Sequence, residues 1–151
     1  MTVTRAVFGL IMELIRRDTD YAFRLAAQMA GAYGQDRALS ARVLAEDNDV
    51  SYALACKILQ KLTHAGIVES VMGPKGGFRL AKKPEKIAFS QLVEAVQGPV
   101  TVNKCLMGGF KCPRKGKCPA RPKMAELQNK ISGYLNELTL QEFIGTANER
   151  E

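Results

Sequence analysis

The chain has no tryptophan, a single histidine (His64) and aromatic residues at only 7% of its 151 positions. One imidazole leaves general acid–base catalysis poorly supplied. No Ser/His/Asp arrangement, paired-acid motif or phosphate-cradling glycine loop stands elsewhere, so an enzyme is not expected. A long apolar run is missing as well. The stretch at 6–15 contains Glu13 and gives way to Arg16, Arg17 and Asp18. It is too short to cross a bilayer, and no small-residue cleavage site follows it. With no membrane span and no secretory signal expected, four cysteines point to a reducing cytoplasm. There, clustered thiols more often bind metal or sense redox state than form disulfides. Acid is missing from one segment in particular: residues 99–125 hold seven Lys or Arg and no Asp or Glu.

What is present suits one compact domain with an appendage. The formal charge is +7 and the sequence pI about 9.4, a surplus that favours an anionic partner, nucleic acid first. Inside the acid-free segment, CLMGGFKCPRKGKC places Cys105, Cys112 and Cys118 within fourteen residues at C-x6-C-x5-C spacing. Gly108, Gly109, Pro113 and Gly116 make this a loop. Three thiols are one ligand short of a closed tetrahedral site. The spacings are looser than the usual zinc pairs and match neither standard ferredoxin pattern, so a larger cluster, zinc and free thiols all stay open.

Taken in order, residues 1 to about 33 read as mostly helical. Ala22, Leu25, Ala26, Met29, Ala30 and Tyr33 form one apolar face, and Gly31 and Gly34 end the helix before a connector at 35–37. Ser40 caps a short helix over 41–47, and Ser51 caps a second that runs to about 65 and stops at Gly66. Leu54, Ala55, Ile58, Leu59 and Leu62 face inward on the second, while Ala53, Cys56, Lys57, Gln60 and His64 lie on its open face. This is a helix-turn-helix signature. Residues 67–71 and 78–80, around Met72-Gly73-Pro74-Lys75-Gly76-Gly77, predict a β-hairpin wing. Ser51, Tyr52, Lys57, Gln60 and Lys61 are candidate DNA contacts, with Lys75 and Arg79 on the wing and Lys82 and Lys83 adding to its field. Cys56 is a candidate second thiol, and His64 a cap or phosphate contact. Ser90 begins a helix over 91–97. A longer helix over 124–136 carries Leu127, Ile131, Tyr134 and Leu135 at helical spacing and reads as a dimerisation helix. Thr139 caps a last helix over 140–144, with a frayed tail from Gly145. The expected fold is mainly α with a small β-hairpin: a winged helix-turn-helix unit (1–98), a cysteine loop (99–122), and a dimerisation helix with a C-terminal helix (123–151).

The order of these parts resembles the Rrf2 family of bacterial transcription regulators. The resemblance covers about residues 12–145 and rests on TDYAFRLA (19–26), VSYALACKILQKLTHAGIV (50–68), GPKGGF (73–78) and the cysteine loop. It implies a homodimer gripping a palindromic double-stranded operator. It also implies a [2Fe-2S] or [4Fe-4S] cluster, held by Cys105, Cys112 and Cys118, that tunes DNA affinity in response to iron, nitric oxide or redox stress. In the subgroup of nitric-oxide sensors the fourth ligand is an aspartate of the partner subunit's first helix, and Asp20 stands at that position. The histidine that another subgroup uses after the cysteines is absent here. The alternative is a winged-helix regulator with structural zinc or thiol-based sensing. Two departures accompany the resemblance: Arg16 replaces the usual threonine before the first helix, and residues 1–11 precede the family's normal start as an extension or upstream start.

Overall fold

The computed structural model describes residues 13–35 and 37–148, the last four by their backbone alone. Residues 1–11, read above as an extension, lie outside the described residues, as does Asp36 of the connector. Among the described residues, six α-helices and one antiparallel hairpin follow in the order α1 (Arg17–Gly31), α2 (Ala41–Asp47), α3 (Tyr52–His64), β1 (Val68–Val71), β2 (Gly77–Leu80), α4 (Phe89–Gln97), α5 (Arg121–Glu137) and α6 (Leu140–Asn148). The expected class, helical with a winged hairpin, is the one observed.

The core forms where the apolar faces of α1, α3 and α4 meet. Ala22, Leu25 and Ala26 of α1, Ala55, Leu59 and Leu62 of α3, and Leu92 of α4 have no exposed surface. Tyr33, assigned to the buried face from its spacing, is 42% exposed because the helix ends at Gly31, two residues before it. The two serine caps form as expected: Ser40 Oγ accepts the Val43 N–H at 3.2 Å, and Ser51 Oγ accepts the Leu54 N–H at 3.3 Å. Between them, the Asn48 side chain donates to the Leu44 carbonyl and Asp49 takes a positive φ of 53°, which turns the chain from α2 into α3.

The hairpin pairs Val68 with Leu80 and Val71 with Gly77. Backbone bonds hold both of its ends: Ala81 N–H to the Ile67 carbonyl at 2.9 Å at the base, and a reciprocal pair between Leu39 and Phe78 at 2.9 and 2.8 Å close to the turn. Gly77 is required here, since a Cβ would run into the Leu39 carbonyl.

Several boundaries differ from the sequence reading. The first helix starts at Arg17, and residues 13–16 are not helical. The fourth begins at Phe89, with Gln91 Oε1 accepting the Ala88 N–H at 3.0 Å, so Ser90 falls inside its first turn. In α5, Pro122 stands in the first turn, where its missing N–H costs nothing, and the helix starts before 124. The last helix runs through Gly145 to Asn148, so the expected tail is helical over those residues. It folds back on α1: Phe143 stacks edge-on to Phe23 at 4.5 Å, and the Leu140 N–H reaches the Ile87 carbonyl at 2.9 Å. No helix among the described residues is long and apolar enough to cross a membrane.

Candidate nucleic-acid interface and cysteine loop

Because Ala55, Ile58, Leu59 and Leu62 turn inward, the opposite side of α3 is left to solvent, with Tyr52, Lys57 and Gln60 exposed. Tyr52 is held from two sides. The Arg42 guanidinium of α2 lies 5.6 Å from its ring centre. Cys56, one turn on, hydrogen-bonds its hydroxyl, and this contact, with the repulsion a phenolate would meet from a thiolate there, raises the phenol above its ordinary pKa. Three other sequence candidates are engaged within the chain. The Ser51 hydroxyl caps α3. Lys61 Nζ donates to the Val96 carbonyl at 2.8 Å, in the last turn of α4, where the helix dipole favours a cation. Arg79 Nε meets Glu69 Oε1 at 2.6 Å across the hairpin. Lys75 stands exposed in the wing turn, and His64 is exposed at the end of α3.

The cysteine loop leaves α4 at Gly98, whose φ of 87° turns the chain away from the helix. Two α5 side chains then pin it. Gln128 accepts the Val102 N–H at 2.8 Å and donates to the Val100 carbonyl at 2.9 Å. Arg121 donates to the Cys105 carbonyl at 2.6 Å. A short 3-10 turn, Lys104–Leu106, sits inside the loop with Asn103 as its cap. Leu106 and Met107 roof a cavity of about 440 Å³ whose walls include Val93 and Glu94 of α4 and Leu135 of α5. Cys105, Cys112 and Cys118 are all half-buried and free of disulfides, as is Cys56. Their donor chemistry suits iron or zinc. This conformation does not gather them: among the described residues no three His, Cys, Asp or Glu side chains stand together to hold a metal ion.

Asp20 lies half-buried in the first turn of α1, where its Oδ2 accepts from Arg24 Nη2 at 2.6 Å. Arg17 and Arg24 both lie over the ring of Tyr21, at 5.6 and 5.4 Å. A link between α1 and the start of the loop, buried only at Thr19, has no counterpart in the sequence reading. Gln97, the last residue of α4, accepts the Thr19 hydroxyl at 2.7 Å and the Arg16 N–H at 2.9 Å, and donates to the Leu14 carbonyl at 3.0 Å. These partners lie about eighty residues apart in sequence, as those of Gln128 and Arg121 lie sixteen or more apart, and no local pattern signals such pairs.

Two capped helices, the second polar outward, followed by a hairpin locked to its end, define a winged helix-turn-helix DNA-reading protein. The chain matches the Rrf2 family, described as "Iron-dependent Transcriptional regulator", over residues 15–146. It belongs to that family, and is a transcription regulator of its type. It is 31% identical over 119 residues to the HTH-type transcriptional regulator IscR of Photobacterium profundum, covering 79% of this chain and 69% of that protein. It is 30% identical over 126 residues to the HTH-type transcriptional repressor NsrR of Streptomyces coelicolor, covering 83% and 84%. Among solved structures, CymR, the global cysteine regulator of B. subtilis, superposes with a TM-score of 0.72 at 20% identity, over 90% of this chain and 98% of that one. At that identity the likeness concerns the fold alone.

Proposed function

We propose that the chain is a homodimeric, cytoplasmic operator-binding regulator whose DNA affinity is set by an iron–sulfur cluster. In this reading Cys105, Cys112 and Cys118 hold the cluster, and Asp20 of the partner subunit supplies the fourth ligand. The observation that carries it is the placement of three free, half-buried thiols on the one segment that joins α4 to α5. An iron–sulfur cluster bound there supplies a centre that reacts with oxidants, nitric oxide and iron depletion. The chain's own residues do the rest. Seven basic side chains without an acid offset the charge of the thiolates, and Arg121 fixes the backbone beside Cys105. Leu127 and Tyr134, 45% and 64% exposed on α5, offer a seam to a second copy. Two α3 helices then address two half-sites, Gln60 reading a base edge and Lys57 and Lys75 meeting phosphates. The division into a reading unit (1–98), a sensing loop (99–122) and a pairing segment (123–151) belongs to this proposal.

A second reading dispenses with the cluster: thiol-based sensing, which the failure of the described side chains to converge as a ligand set favours, or structural zinc, which would need the same convergence as a cluster. Anaerobic purification separates the two. A brown protein whose visible charge-transfer bands disappear in Cys112→Ala supports the first reading. A colourless protein with one zinc per chain supports the second. Unchanged cluster spectra and oxygen stability in Asp20→Ala would remove the carboxylate from the ligand set.

A further inference from the structure

The wing tip carries a side chain that the contacts above leave without a task. Met72 is 91% exposed, more than any other large apolar residue among those described. Its position is fixed from both sides. Val71, just before it, makes the last rung of the hairpin with Gly77, and the Gly76 N–H closes the turn on the Gly73 carbonyl at 2.9 Å. Gly73 itself has a φ of 106°, and a Cβ at Gly76 would strike the Val71 carbonyl, so the turn has little freedom to rearrange. Arg79, on β2, is paired with Glu69 across the strands. The tip therefore presents two long side chains outward, the thioether of Met72 and the ammonium of Lys75.

Four strand residues at about 3.3 Å each carry that tip roughly 13 Å from the hairpin base. The base in turn is bonded to Ile67, just after α3, and Phe78, one residue from the turn-side rung, to Leu39, just before α2. With α3 in a major groove about 12 Å wide, such a reach crosses one phosphate backbone to the neighbouring minor groove. The surroundings favour a polyanion over a protein: Lys75, Lys82 and Lys83 are exposed around the hairpin, and its one acid is the paired Glu69.

We propose that Met72 is a specificity-determining residue that enters the minor groove beside each half-site as an apolar wedge. This rests on the operator-binding reading given above. An unbranched, polarisable thioether can slide between base edges and partly unstack a step, as apolar wedges of architectural proteins do. Making no hydrogen bond, it distinguishes sequences by how easily they deform, and so favours pyrimidine–purine steps over stiff ones. Lys75 beside it anchors the phosphate and carries no preference.

The test uses the full chain and an operator recovered by the wild type from a pool of random duplexes. Two versions keep the half-sites and differ beneath the wing, one with a TA or CA step and one with a G·C run. Wild type should prefer the flexible step by about tenfold, the scale of a single mismatched position. Met72→Gln, of similar length and on an exposed position, should lose most of that preference while keeping its half-site discrimination. Lys75→Ala should weaken both duplexes equally. Wild-type affinity and preference in Met72→Gln would overturn the proposal, and so would a wild type indifferent to the step. Recovery of no operator at all would instead sink the operator-binding reading, and the wedge with it.

Discussion

Replacing Gln97 with leucine should loosen the attachment of α1 to the rest of the molecule. The carboxamide makes three bonds, to the Thr19 hydroxyl, the Arg16 N–H and the Leu14 carbonyl. They differ in worth. Thr19 is the one fully buried polar residue among those described, so its hydroxyl has no water to turn to, and stranding it costs about 1–3 kcal/mol. The other two partners are backbone groups in an exposed stretch that can return to water, and contribute about 0.5 kcal/mol each. Gln97→Leu should therefore cost about 2–4 kcal/mol. Thr19→Val, which keeps the shape and removes the hydroxyl, should cost about 1 kcal/mol. In the double variant the stranded group is gone, so the pair should cost about 1 kcal/mol less than the two single effects added. Urea unfolding followed by circular dichroism, at one fixed protomer concentration, measures all three. A Gln97→Leu cost below about 0.5 kcal/mol, or strict additivity, would show that Gln97 does not hold the Thr19 hydroxyl in the folded protein.

The wing and the recognition face give further expectations. Gly77→Ala forces a Cβ against the Leu39 carbonyl and should destabilise the hairpin by more than about 2 kcal/mol, read as lost amide protection at 68–80. Lys75→Ala should lower operator affinity across sequences and reduce the slope of log affinity against log salt by about 1. Gln60→Ala should relax preference at one position by about 1–3 kcal/mol, measured on single-base operator variants. Ser51→Ala should cost about 1 kcal/mol of stability through the lost cap.

The parts that depend on neighbours along the chain are legible in the sequence itself. Ser40 and Ser51 cap their helices through the third residue on, and Gly66, with a φ of 68°, ends α3 as its position implies. The wing follows from alternation around a glycine-rich turn. What a local pattern misses depends on partners far along the chain. Lys61 reads in the sequence as a candidate DNA contact, but the last turn of α4 draws its ammonium inward. Arg79 has the position of a free phosphate contact, yet its cross-strand neighbour Glu69 stands opposite and holds it. Nothing local in Phe143 announces its ring contact with Phe23. The cysteine loop lies between these cases. Its spacing and charge mark it as a site, whereas its ligand geometry depends on a loop conformation, and in the reading proposed here on a second subunit.

The central claim is that the loop's thiols hold a cluster which sets DNA affinity. It is tested most directly by measuring operator affinity of the anaerobically purified dimer before and after chelation strips its iron. A chain that carries iron and acid-labile sulfide, loses its visible bands on chelation, and changes affinity by at least about tenfold, some 1.4 kcal/mol, agrees with the account. Equal affinity in the two states, or a protein with no iron to strip, contradicts it.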